Sequence, residues 1–290
     1  MLDGGRGADY MAGSSGNDTY VVDNAGDSIS EYPNSELFDE GYDTVLSSIS
    51  YVLPEAVEEL RLTGSAALNG TGNAESNQIY GNAGANILDG GSGGVNWLYG
   101  GRGNDTYIIR SFDDHAREHA GEGIDTIKSY RSYWLIDAME NLTLLGSDNL
   151  IGVGNYEKNT IIGNDGGNYV DGLGGADILT GGQGGDRFAF STALGNGNVD
   201  RITDFTVGED KLLLANSLFG LAAGTASLSA DQFTSGSKAT STDHRIVYNS
   251  ASGMLLYDAD GTGTAAAVAF AVLGRNLSLS ASSFEIFTPG

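Results

Sequence analysis

Large apolar residues recur along most of this chain at intervals of nine, each two positions after an Asp or Asn in glycine-rich polar sequence. Near the N-terminus Gly7 aligns with Gly16, Asp9 with Asp18 and Met11 with Tyr20, and the register continues through Asp27 and Ile29. A second block steps through Asn77, Asn86, Asn96 and Asp105, followed by Ile79, Leu88, Leu98 and Tyr107, with one extra residue near Gly94. A third runs through Asn159, Asn168, Asp177 and Asp186, followed by Ile161, Val170, Leu179 and Phe188. Each unit divides into a polar turn and a short strand whose central residue alone points inward. Self-similarity at a short fixed period predicts a solenoid, in which a unit buries its apolar residue only by stacking on its neighbours.

A longer period lies over the short one. Gly16-Asn-Asp-Thr-Tyr-Val-Val recurs 87 residues later from Gly103, and Asp43-Thr-Val-Leu-Ser-Ser recurs 82 residues later as Asp125-Thr-Ile-Lys-Ser-Tyr. Glu59-Leu-Arg-Leu-Thr-Gly likewise returns as Asn141-Leu-Thr-Leu-Leu-Gly. The spacing predicts two supra-repeats, about 1–103 and 104–190, followed by a different C-terminal module over 191–290. Between the blocks Val45, Ile49, Tyr51 and Leu53 alternate, as do Ile127, Tyr133 and Leu135, which predicts strands that extend the solenoid with wider coils.

Composition narrows the chemistry. Among 290 residues there are 45 Gly, 3 Pro and no Cys, which excludes disulfides, thiolate metal sites and cysteine nucleophiles. Acidic residues outnumber basic ones 38 to 14, for a net charge of -24, the opposite of what a nucleic-acid binder needs and suited to cationic partners. The first residues carry neither a basic region nor an apolar region of a cleaved signal peptide. The longest apolar run, Ala265 to Leu273, is too short to span a bilayer.

The nonapeptide, clearest from Gly172 to Ala189, resembles the RTX (repeats-in-toxin, hemolysin-type calcium-binding) family over nearly the whole chain. The resemblance implies an all-β fold, a right-handed parallel β-roll in which two nonapeptides complete one coil. Physical chemistry supports it. One buried apolar residue per unit contributes about 1.5 to 3 kcal/mol, against about 1 to 2 kcal/mol per residue of backbone ordering, so something must also bind the turns. Calcium fits, because it takes six to eight oxygens in flexible geometry, and glycines in the turn free the backbone to aim carbonyls at a common centre.

The expected ligands are therefore Asp9, Asp18, Asp27, Asp105, Asp114, Asp177 and Asp186, with turn glycines Gly5, Gly7, Gly16, Gly101, Gly103, Gly175, Gly182 and Gly184. Asn77, Asn86, Asn96, Asn159 and Asn168 replace the carboxylate by a neutral amide, so weak or absent calcium is expected there, with hydrogen-bonded ladders as the alternative. Asp43, Asp125 and Asp210 precede strands in similar fashion and read either as calcium ligands or as plain turn aspartates. Several ions are expected in all.

From Asp200, Asp-Arg-Ile-Thr-Asp204-Phe resembles the segment after the last nonapeptide in serralysin-type and other type I secreted proteins, and both aspartates join the candidate ligands. The resemblance implies a β-rich cap over the open end of the solenoid and an uncleaved signal for the type I secretion machinery. Asp258-Ala-Asp260-Gly261 opens like an EF-hand loop but lacks the Glu at position twelve, which favours a β-turn. His115-Ala-Arg-Glu118-His119 matches a zinc-protease pattern that needs a helix, whereas its register places it beside a turn in a β context. No nucleophile elbow is present, and aromatics such as Tyr133 and Trp134 read as core rather than as sugar platforms.

The functional expectation is a calcium-dependent folding module, exported unfolded and folded outside the cell, without catalytic residues of its own. Because Met1-Leu2-Asp3 starts inside a nonapeptide, it is expected to follow an upstream domain that carries any enzyme activity. The alternative is an active extracellular module: an adhesin, a lectin-like polysaccharide binder or a surface-layer piece.

Overall fold

A computed structural model of the chain describes residues 1–31, 41–222 and 224–289. It has two compact units, Met1–Arg131 and Ser132–Gly290. In the first, seven parallel strands form one sheet in the order Leu2–Asp3, Thr19–Val22, Thr44–Ser47, Glu59–Leu62, Gln78–Tyr80, Trp97–Tyr99 and His115–Arg117. Strands Tyr51–Val52, Asn69–Thr71, Ile87–Asp89, Thr106–Ile109 and Thr126–Ser129 form a second parallel array, and Tyr10–Ala12 pairs with Ser28–Ser30. The chain alternates between the two sides, so each coil consists of two strands and two turns.

The period of the coil follows from register. Leu2 pairs with Tyr20 and Ile161 with Leu179, each 18 residues on, so two nonapeptides make one coil. The extra residue near Gly94 lengthens the step from Ile79 to Leu98 to 19. Between the repeat blocks the step varies more, from Tyr20 to Val45 and then from Val45 to Leu60, yet the inward residues still stack. The turns absorb the difference. Tyr20, Ile79, Leu88, Leu98, Tyr107, Ile161, Val170, Leu179 and Phe188 are all 0% exposed, as the alternation requires. Ile29, near the chain start, is only half-buried.

The supra-repeat is visible at its corners. The buried hydroxyls of Ser47 and Ser129 donate to the carbonyls of Ile49 and Arg131, each at 2.8 Å, and close the same short bend in both copies.

The second unit repeats the plan. Tyr133–Trp134, Ile151–Val153, Tyr169–Asp171, Arg187–Phe190, Lys211–Ala215 and Phe284–Phe287 form a six-stranded parallel sheet. Facing strands run Asn141–Leu144, Thr160–Ile162, Ile178–Thr180 and Asp200–Ile202. Beyond the last nonapeptide, Asp200–Ile202 and Lys211–Ala215 continue the solenoid for one further coil. The rest of the tail then covers the open edges. Phe284–Phe287 lies along Lys211–Ala215, and Val268–Val272 lies along Asp200–Ile202. Met254–Tyr257 and Ile246–Asn249 follow antiparallel to one another. Phe190, Phe219, Tyr257 and Phe270 meet edge-on, with centroids 4.9 to 5.4 Å apart, and close the end of the narrow core. Covering these edges removes unpaired backbone that invites aggregation.

Helix among the described residues is limited to the single turns Ala230–Gln232 and Ala281–Ser283. Among the described residues no helix is long and apolar enough to cross a membrane.

Candidate metal centre

The turns fall into two kinds that share a length of six and differ in backbone. In Gly4–Asp9, Gly13–Asp18, Gly100–Asp105, Gly172–Asp177 and Gly181–Asp186, the second and fourth residues have positive φ. They are Gly5 (79°) and Gly7 (123°), Ser14 (70°) and Gly16 (96°), Gly101 (80°) and Gly103 (131°), Leu173 (64°) and Gly175 (123°), and Gly182 (98°) and Gly184 (96°). All eight glycines expected from the sequence are among these ten. Ser14 and Leu173 hold the same conformation at a cost of about 1 to 2 kcal/mol each. The first glycine of each turn answers a different need, since the aspartate side chain six residues into the turn fills the space its Cβ would take.

Stacked turns are joined through the aspartates. The backbone N–H of Asp105 donates to Oδ1 of Asp125 at 2.7 Å, and that of Asn86 to Oδ1 of Asp105 at 2.7 Å. In the second unit Asn159 donates to Asp177 and Asp177 to Asp200, while Asn168 donates to Asp186 and Asp186 to Asp210. Asp18 donates to Asp43 and Asp9 to Asp27. Asp43, Asp125 and Asp210, ambiguous in sequence, thus stand on the same ladder as the nonapeptide aspartates.

What differs is the second carboxylate oxygen. In Asp27 it accepts from the N–H groups of Asp23 and Asn24, in Asp114 from Arg110 and Ser111, and in Asp210 from Thr206. Asp204 spends both oxygens on the N–H groups of Gly181 and Gly182. Burial pushes the Asp27 carboxyl up, but its amide donors outweigh that and hold it below the usual range. In contrast Oδ2 of Asp9, Asp105 and Asp177 is buried with no hydrogen-bond partner. Burial pushes Asp105 and Asp186 up to about 6, with the charges of Asp125 and Asp210 adding to it, and burial beside Asp177 pushes Asp200 up to about 8. Buried carboxylate oxygens without a hydrogen-bond donor, in turns whose backbone is held open, are a set of hard donors of the kind that suits calcium.

The model of the RTX calcium-binding nonapeptide repeat matches residues 1–28, 70–94, 92–114 and 153–188, covering each of these five turns. The chain carries RTX calcium-binding repeats. Over 88 residues it is 41% identical to the endo-1,3-1,4-beta-glycanase ExsH of Rhizobium meliloti (strain 1021). That match takes in 30% of this chain and 19% of the glycanase.

The other RTX turns, Gly72–Asn77, Gly81–Asn86, Gly154–Asn159 and Gly163–Asn168, contain no positive φ. A second asparagine, directly after the first glycine, organises them. The Asn82 amide donates to the carbonyls of Thr63 and Ala66 in the stacked turn, both at 3.0 Å. Asn73 bridges Pro54 and Val57, Asn155 bridges Ile136 and Met139, and Asn164 bridges Leu145 and Asp148 in the same way. An NH₂ group thus satisfies carbonyls that would otherwise converge unpaired. Asn77, Asn86, Asn159 and Asn168 complete the motif by accepting, through Oδ1, from the N–H of Asn73, Asn82, Asn155 and Asn164. The sequence reading missed these four bridging residues, although Gly-Asn-x-x-x-Asn marks each of them. Asn96 sits in a longer turn and donates to Gly93 and Asp114.

His115–Arg117 is a strand, so His115 and His119 do not share a helical face as the zinc-protease pattern requires. At Asp258-Ala-Asp260-Gly261 the chain forms a bend in which Asp260 accepts from the N–H of Ala265 and Gly261 has positive φ.

Replacing Asn82 by Ala leaves the Thr63 and Ala66 carbonyls unpaired, and we expect about 1 to 3 kcal/mol of destabilisation with no change in bound calcium. Denaturant unfolding in calcium and a calcium stoichiometry measurement check this. The raised carboxyls also set a pH dependence. They titrate near 4 when unfolded and near 6 to 8 in the metal-free fold, so their contribution is present below about pH 4 and lost as pH rises through about 6 to 8. Metal-stripped protein should therefore gain β signal in circular dichroism as pH is lowered from about 8 to about 5; a flat signal contradicts this.

Proposed function

We propose that this chain is a calcium-dependent folding and stability module of a secreted RTX protein. The observation that carries the reading is the set of buried, partnerless Oδ2 atoms on Asp9, Asp105 and Asp177, each in a turn whose second and fourth residues have positive φ. Asp9, Asp18, Asp105, Asp177 and Asp186, with carbonyls around Gly5, Gly7, Gly16, Gly101, Gly103, Gly175, Gly182 and Gly184, would hold the ions. Asp43, Asp125 and Asp200 would contribute from the stacked turns. Asp27, Asp114, Asp204 and Asp210, with both oxygens on N–H donors, would act as turn caps that tolerate calcium nearby. The Asn turns would hold none.

At low calcium the acidic turns repel one another and the chain stays loose; at extracellular calcium, binding to the native state alone adds to stability. That logic suits export through the type I machinery in an unfolded state, with the cap over 191–290 carrying the signal. Any catalytic activity would belong to a domain elsewhere in a parent protein. Circular dichroism should show strong β signal in millimolar calcium that collapses in EGTA and returns on readdition. Native signal persisting in chelator sinks the reading.

A second reading, binding of an extracellular polysaccharide, is favoured by the outward face of the seven-stranded sheet. The sequence reading placed aromatics in the core, but Trp134 is 55% exposed, and Tyr80 and Tyr99 flank inward residues and stack half-buried on the outer face at 4.5 Å and 5°. Arg61 lies 4.1 Å over Tyr80, Trp97 packs on His115 at 4.4 Å, and Arg117 lies 4.9 Å from the Trp97 ring. Such a stripe offers flat apolar faces beside hydrogen-bond donors, the chemistry of sugar recognition. Affinity electrophoresis in β-1,3-1,4-glucan should retard the wild-type chain more than Tyr80→Ala or Trp97→Ala; equal mobility removes this reading.

A further inference from the structure

Glu118 lies outside the nonapeptide motif yet takes one of its positions. It directly follows the strand His115–Arg117, as Gly100 follows Trp97–Tyr99 one coil earlier. Where the repeat leaves room for a carboxylate by using glycine, the chain here supplies another carboxylate. Asp105, Glu118 and Asp125 each place an oxygen within 4.8 Å of the others. Oδ2 of Asp105, Oε1 of Glu118 and the hydroxyl of Tyr107 all crowd the point that a Cβ on Gly100 would occupy.

The surroundings do not neutralise this group. Asp105 is 1% exposed and its Oδ2 has no partner. The buried Tyr107 hydroxyl donates to Glu118 and accepts from the N–H of Gly100 at 2.8 Å. Among the described residues, no lysine or arginine forms an ion pair with Asp105 or Glu118.

The arrangement occurs twice. Asp18, Glu31 and Asp43 form the equivalent trio in the first supra-repeat. Asp18 Oδ2, Glu31 Oε1 and the hydroxyl of Tyr20 again crowd the space beside a glycine, Gly13, and the fully buried Tyr20 hydroxyl has no partner. Glu31 and Asp43 are twelve residues apart whereas Glu118 and Asp125 are seven apart, so the trio survives a change in the length of its own loop. Turn length alone does not produce it.

We propose that Asp105, Glu118 and Asp125 with the Tyr107 phenol, and Asp18, Glu31 and Asp43 with the Tyr20 phenol, are two cation sites in which a glutamate and a phenol from outside the nonapeptide pattern join the aspartates of stacked turns. The inference rests on the reading of the chain as a calcium-dependent module and adds to it a class of site. Three carboxylates and a phenol are all hard oxygen donors, which select calcium or a lanthanide over zinc or copper. With three formal negative charges around one ion, these are the tightest sites of the chain and the first to fill.

Metal-stripped full-length chain would be titrated with calcium by calorimetry and with terbium by tyrosine-sensitised luminescence. The Glu31→Gln/Glu118→Gln double variant is expected to lose two ions and weaken the tightest binding step by about tenfold or more. It should still gain β signal in millimolar calcium, because the nonapeptide turns are intact. Tyr107→Phe should dim the terbium emission that appears first, and Asp177→Asn should leave that emission unchanged. First-phase emission that survives the combined Tyr20→Phe/Tyr107→Phe change overturns the assignment even if the glutamine variants fold poorly. A double glutamine variant with wild-type stoichiometry and affinity overturns this inference alone, whereas a wild-type chain that takes up no calcium overturns the folding-module reading with it.

Discussion

A β-solenoid this narrow concentrates its polar backbone at the turns, where carbonyls and side-chain oxygens of successive coils converge on a small volume. Something electropositive has to lie among them, because each buried acceptor without a donor costs about 1 to 3 kcal/mol and like charges add to that. The chain meets this requirement in two ways. In one kind of turn an asparagine NH₂ sits between two carbonyls of the next coil, as Asn82 and Asn164 do. In the other the backbone adopts positive φ twice, the carboxylates point inward, and Oδ2 of Asp105 and Asp177 is left without a donor. The core residues, one per strand, stack in register only because the turns hold that spacing.

The inward face of the fold was legible because it follows from alternation alone. Each residue two positions beyond a turn Asp or Asn in the second and third repeat blocks is fully buried, from Ile79 to Phe188. The wider coils were legible too, since the alternation around Val45 and Ile127 survives their irregular length. The hydrogen-bonding surroundings of the individual turn carboxylates were less so. Asp27 and Asp114 look like nonapeptide aspartates, but each closes a five-residue turn whose own N–H groups take the second oxygen. That depends on turn length, which a motif match overlooks. Glu118 was visible only as part of a false protease pattern, and Glu31 not at all, because their partners lie in the next coil at unequal sequence distances. The outward Tyr80–Tyr99 stack was implied by the same alternation that buried Ile79 and Leu98, had it been applied to both sides of the strand.

The acidity of the chain takes on a different meaning once the turns are described. The net charge of -24 is spread unevenly, and part of it lies in carboxylates that burial drives toward protonation, such as Asp200 and Asp105. Others, such as Asp27 and Asp204, have both oxygens accepting from backbone N–H groups and stabilise the turn through those bonds. One residue type thus does two opposed jobs, and the number of amide donors facing its second oxygen decides which.

The asparagine-bridged turns are not scattered. Those of the first unit follow one another over residues 72–86, and those of the second over 154–168, so each unit contains one continuous stretch whose turns are closed by asparagine hydrogen bonds. In a solenoid, where every coil needs an ordered neighbour to stack on, such a stretch is a seed. The order in which coils form would then be written into the chain as a direction: growth outward from an amide-closed stretch into the carboxylate turns beside it.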